Sequence, residues 1–266
     1  MASTLRRRTL AALLGLCALC VLFTQGRPRS LAQSPAEASA EEKLAVRLVA
    51  AQTDEERQQL LAENRVLLTV ELRKALVPQS DALRTKGNYP QAFAVLEVAE
   101  RIAEQAGDRA GVAQVWNRMG NILRLQGKYP PALDYHRKGL ALCEELADKN
   151  CIASSFHGMG SVHVVRGDYD LAAEHYRKSL ALSEEIGNQA AVASAHNNLG
   201  LIHRSKGNYA LALEHDEQGL KLSEAAGDKV RTADALHNIG KTHYLRGDFA
   251  LALEYYLRSR AMYEAL

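Results

Sequence analysis

Five glycines, Gly87, Gly127, Gly167, Gly207 and Gly247, recur every forty residues, and an aromatic residue stands two places after each of them. The stretches read Gly-Asn-Tyr-Pro, Gly-Lys-Tyr-Pro, Gly-Asp-Tyr-Asp, Gly-Asn-Tyr-Ala and Gly-Asp-Phe-Ala. Self-similarity at a fixed period of this length specifies a stack of like units, each too small to bury its own apolar face. Such a stack offers an extended concave surface more readily than an enclosed catalytic pocket. The blocks run 71–110, 111–150, 151–190, 191–230 and a shortened 231–266.

Each block contains two helical patterns. Glycine supplies the left-handed residue that ends the first helix. Asn88, Asp168, Asn208 and Asp248 are then placed to cap the second. Pro90, Pro130 and Pro131 fall in the first turn of that second helix, where a missing N–H is tolerated. A second junction closes each block at Gly107-Asp108, Gly187-Asn188 and Gly227-Asp228, with Ala147-Asp148 departing from the pattern. Small residues hold three fixed registers. These are Ala92, Ala132, Ala172, Ala212 and Ala252; Gly120, Gly160, Gly200 and Gly240; and Ala113, Ala153, Ala193 and Ala233. A glycine inside a helix costs about 1 kcal/mol against alanine, so four in one register imply close approach of another helix. The first block has Ser80 there, after Pro78, which predicts a kinked or irregular first helix. Tyr129, Tyr169, Tyr209 and Phe249 are expected to pack in the core.

These registers carry a family resemblance. Trp116-x2-Met119-Gly120 with Ala132, Phe156-x2-Met159-Gly160 with Ala172, His196-x2-Leu199-Gly200 with Ala212, and Leu236-x2-Ile239-Gly240 with Ala252 resemble the tetratricopeptide repeat. The period is forty residues rather than the usual 34; the six extra residues are expected to lengthen helix ends. Repeats of this length resemble those of G-protein-signalling modulators and of exported bacterial tetratricopeptide proteins. The resemblance implies an all-α, right-handed solenoid of stacked helical hairpins over 67–266. Residues 33–66 supply a tether and capping helices: Glu41 to Ala51 forms one, and Thr53-Asp54-Glu55-Glu56 is a capping box that opens another, ending near Asn64.

Residues 1–32 read as an export signal. A basic stretch precedes an apolar run over 9–23, with Ser30-Leu31-Ala32 as a cleavage site. An uncleaved membrane anchor is the alternative, although the run is shorter than the roughly twenty residues of a span. The formal net charge is +2; without Arg6, Arg7, Arg8, Arg27 and Arg29 the rest of the chain carries −3. A mildly acidic body does not suit nucleic acid. Cys143 and Cys151 flank a helix–helix turn and could form a disulfide; two independently packed thiols are the preferred reading.

No catalytic or cofactor constellation emerges. His163, His203 and His243 share one register, which spaces them along the stack and opposes convergence on a metal ion. The sequence has no His-Glu-x-x-His, no phosphate-binding loop and no Gly-x-Ser-x-Gly elbow. The resemblance places the concave surface on the first helix of each pair. That stripe carries Gln114, Asn117, Asn121 and Arg124, then Ser154, His157, Ser161 and Val164. It continues with Ser194, Asn197, Leu201 and Arg204, and ends with Asp234, His237, Lys241 and Tyr244; Asn198 and Asn238 adjoin it. Amides and hydroxyls can donate to and accept from a peptide backbone. The expectation is therefore a non-catalytic scaffold binding a peptide or helix, with replacement of Asn117, Asn197 and Arg204 together by Ala abolishing partner capture without loss of helicity. The mixed charges do not favour a clamp for a C-terminal carboxylate. The alternative is a substrate-recruiting arm of a longer enzyme, since in some similar proteins the array precedes a caspase-like peptidase. The end at Leu266 leaves Leu251, Leu253, Leu257 and Tyr263 without a covering helix, which suggests continuation or self-association.

Overall fold

A computed structural model describes residues 38–51 and 53–266; the export-signal reading lies outside the described residues. Twelve α-helices and one short 3-10 turn, Arg65–Leu67, are present among them, with no strand. The first two are α1 (Ala40–Ala50) and α2 (Asp54–Glu63). Five hairpins follow: α3 (Val70–Thr85) with α4 (Tyr89–Gln105), α5 (Arg109–Leu125) with α6 (Tyr129–Glu145), α7 (Lys149–Arg166) with α8 (Tyr169–Glu185), α9 (Gln189–Ser205) with α10 (Tyr209–Ala225), and α11 (Lys229–Arg246) with α12 (Phe249–Glu264). From α3 to α12 consecutive helices pack on one another, α3 also packs on α1, and first helices of neighbouring hairpins touch, α3 on α5, α5 on α7 and α9 on α11. That neighbour-only packing makes a solenoid.

The three-residue junctions have one geometry. At Gly127 the backbone turns left-handed, φ 74°, and the Lys128 N–H reaches back to the Leu123 carbonyl at 2.9 Å, closing the end of α5. Ala147 takes the same conformation at φ 53° despite its Cβ. The disulfide between Cys143 and Cys151 spans this one junction, with Cα atoms 5.6 Å apart. The preference for two separate thiols is thus corrected: the turn brings the ends of α6 and α7 within disulfide reach, which is about 7 Å between Cα atoms.

Capping divides between the two kinds of junction. Asp108, Asp148, Asn188 and Asp228 accept backbone N–H groups at the starts of α5, α7, α9 and α11, and Asn88 does so at α4. Asp168, Asn208 and Asp248 make no side-chain cap, contrary to expectation. Neighbours on the preceding helix hold the two aspartates instead: Asp168 forms an ion pair with Arg166 at 3.1 Å and lies 3.3 Å from His163 Nδ1, and Asp248 pairs with Arg246 at 2.9 Å and lies 3.2 Å from His243 Nδ1. The capping box at Thr53 and Glu56 is present.

The helical glycines meet a requirement for space. A Cβ built on Gly120, Gly160, Gly200 or Gly240 would lie 2.8, 3.0, 2.3 or 3.0 Å from His136, Tyr176, Asp216 or Tyr256, respectively, on the second helix of the same hairpin. In the first hairpin Ser80 replaces this glycine, and its hydroxyl donates to the Ala92 carbonyl at 2.9 Å. Helix α3 continues through Pro78 as one element. Its Leu72 and Leu76 belong to the core that also holds Leu44 and Leu48 of α1 and Leu96 of α4, and this burial outweighs the lost hydrogen bond. Phe249 departs from its expected core role: it is 64% exposed and packs edge-on against Tyr244.

Candidate functional site

The inner wall is built from first helices. Three neighbouring cavities of about 360, 270 and 300 Å³ open along α3, α5 and α7, one of them reaching the start of α9 and Arg231 of α11. Asn121 lines all three; Ser154 and His157 each line two. Asn121 has no hydrogen-bond partner among the described residues, so its amide faces the groove ready to donate and accept. Ser154 hydrogen-bonds the Asn150 carbonyl at 2.9 Å, and Ser161 lies 3.0 Å from the Tyr176 hydroxyl.

Of the stripe read from the sequence, Gln114, Asn117, Asn121, Arg124, Ser154, His157, Ser161 and Ser194 line these cavities. His237 lines a separate cleft of about 560 Å³ between α11 and α12, with Tyr256, Tyr263 and Arg260. Asn197, Asn198, Leu201, Arg204, Asp234, Asn238, Lys241 and Tyr244 line none of the four.

Three stripe residues are engaged or buried in the wall, and of these Asn117 also lines one of the groove cavities. Asn117 is 7% exposed; its Nδ2 donates to Ser155 at 2.8 Å and its Oδ1 lies 3.1 Å from His136 Nδ1. Arg204 is 6% exposed and pairs with Asp216 at 2.9 Å, while also donating to Thr242 and to Asn238. Asn197 repeats Asn117 two blocks later, but Asp216 and Ala235 occupy the places of His136 and Ser155, and its buried Oδ1 has no partner.

Electrostatics separates the same registers. Burial, with Arg124 nearby, lowers the His136 pKa to about 3 and the His157 pKa to about 4, so both imidazoles are neutral at pH 7. Burial pushes Asp216 up to about 6 against the opposing pull of Arg204. The stacked pairs His163–His175, His203–His215 and His243–Tyr255, with centroids 5.4, 5.4 and 5.6 Å apart, occupy hairpin seams, where the rings serve packing.

Sequence reasoning missed Asp81, Arg84, Arg118, Asn150 and Asn188, which also line the groove. Asp81 and Arg84 stand one period before Asn121 and Arg124, and Arg118 stands two periods before Asn198, with Gly158 between them. Extending the stripe back into the first block would have found the first two.

The tetratricopeptide repeat profile matches residues 72–145, 151–225 and 191–265. This chain is a tetratricopeptide repeat protein. Solved structures share the repeat architecture at low identity. BtubC (BKLC) from P. vanneervenii aligns with a TM-score of 0.66 at 19% identity, over 86% of this chain and 92% of its own. A Rap protein complexed with Competence and Sporulation Factor aligns at 0.65 and 15%, over 82% of this chain and 62% of its own. The tetratricopeptide-sensor STAND ATPase PH0952 from Pyrococcus horikoshii aligns at 0.64 and 18%, over 79% of this chain and 31% of its own. No curated protein sequence matches the chain.

Proposed function

We propose that this tetratricopeptide repeat protein is a non-catalytic interaction scaffold that holds a peptide or helical segment along the inner faces of α3, α5 and α7. The observation that carries this reading is the run of three cavities joined at Asn121 and lined by amides, hydroxyls, an imidazole and guanidinium groups. Groups of this kind match the alternating N–H and C=O of a peptide backbone. The Rap protein of similar fold supports it, being a structure complexed with a factor.

The reading is tested by passing a random dodecapeptide pool over the immobilised full-length chain. Asn121→Trp with Ser154→Trp fills the shared lining. The double variant is expected to retain at least tenfold less peptide with unchanged far-ultraviolet circular dichroism. Equal retention by the variant would contradict the groove.

A further inference from the structure

Four junctions join one hairpin to the next, and all close with the same backbone hydrogen bond. The N–H groups of Asp108, Asp148, Asn188 and Asp228 reach the carbonyls of Ala103, Cys143, Ser183 and Ser223 at 2.8, 3.0, 2.9 and 3.0 Å. Among the described residues only the second junction is also bridged, by Cys143–Cys151. At the other three the cysteine places hold Ala103 and Gly111, Ser183 and Ala191, and Ser223 and Arg231. The turn therefore forms without a covalent bond, and opening the disulfide leaves its backbone closure available.

The two sulfurs differ in access. Cys143 is fully buried, in a small apolar cluster with Ala113, Leu142 and Ile152. Cys151 is 6% exposed, stands in the first turn of α7 and lines the polar cavity of about 270 Å³. Asn117 Nδ2 lies 4.0 Å from its sulfur, and Asn121 and Ser154 line the same cavity. Exchange at a disulfide requires that a thiolate reach one of its sulfurs. A thiolate entering this cavity meets Cys151 and not Cys143.

We propose that Cys151 is a thiol-exchange site, loaded through this cavity by a small-molecule or peptide thiol. The incoming thiolate attacks the Cys151 sulfur and forms a mixed disulfide there. The Cys143–Cys151 bond breaks, and its electron pair leaves on the Cys143 sulfur, which takes a proton from water. One disulfide is consumed and one is formed, so no other oxidant or reductant is needed. Attack by the Cys143 thiolate on Cys151 reverses the step and expels the thiol. The inference is independent of the peptide-groove reading, because exchange needs one cavity and not the run of three.

The test incubates the oxidised full-length chain with reduced glutathione, or with a dodecapeptide carrying one cysteine, at equal thiol concentration. Remaining thiols are blocked with iodoacetamide after an acid quench. Trypsin cuts after Lys149, so mass spectrometry reads the two cysteines on separate peptides. The expected result is the added thiol on Cys151 and the blocking group on Cys143, at least tenfold over the reverse, with unchanged far-ultraviolet circular dichroism. The thiol that loads more names the source. In Cys143→Ala, Cys151 stands as a thiol in a helix first turn, which favours its thiolate. It should then form the same adduct from oxidised glutathione, releasing one glutathione thiolate. Adducts that form only in urea, or that favour Cys143, would overturn the proposal. Glutathione loading without retained peptide fells the groove reading alone; retained peptide without any adduct fells the exchange site alone.

Discussion

Arg124 and Arg204 are the same side chain two repeats apart, and one residue on the facing helix decides what each does. Asp216 locks Arg204 into a buried pair, so Arg204→Gln leaves a carboxylate in the core without its cation. That change is expected to cost about 3–5 kcal/mol, read from the urea midpoint at pH 7. Arg124→Gln breaks no ion pair, and a loss below about 1 kcal/mol is expected. Acid should also weaken the fold. His136, His157 and His215 have pKa values of about 3, 4 and 4, so the unfolded chain takes up protons near pH 6.5 that the folded chain refuses. Their stabilisation is complete above the unfolded value and is lost as pH falls toward 4. Asp216, raised to about 6, works in the opposite sense, losing stability as pH rises from 4 to 6. Three groups outweigh one, and the urea midpoint is expected to fall between pH 7 and pH 4. A flat or rising midpoint would contradict the burial of these imidazoles.

At the scale of the element, much was legible because junctions and close approaches obey local rules. A left-handed residue every twenty positions and a helical glycine facing a bulky side chain are written into single residues. The exceptions arise where a competing partner intervenes, two residues away at α8 and α12 and on another helix at α3. Arg166 and Arg246 occupy the aspartates expected to cap α8 and α12, and packing on α1 carries α3 through Pro78. The same limit applies to the groove: Asn117, Asn121 and Arg124 look alike in the sequence, and only the facing helix shows which of them is consumed internally. Ala147 offers a direct check on the junction argument, being the one non-glycine residue with positive φ among the described residues. Ala147→Gly should stabilise the chain by about 1 kcal/mol, since it relieves the Cβ clash of the left-handed turn. A destabilisation, measured by urea unfolding with the Cys143–Cys151 bond intact, would show that the disulfide rather than the turn sets this geometry.

For the whole molecule, stacking turns residues forty apart in sequence into neighbours on one wall, and no single hairpin contains the groove. The most direct measurement places a benzoyl-phenylalanine photocrosslinker at 121, or at 174 on the second helix of the third block, and irradiates the full-length chain with its retained peptides. Glu174 is exposed and lines none of the groove cavities. Crosslinks from position 121 and none from position 174 are the predicted result. Capture from 174 with silence at 121 would contradict binding along the inner helices.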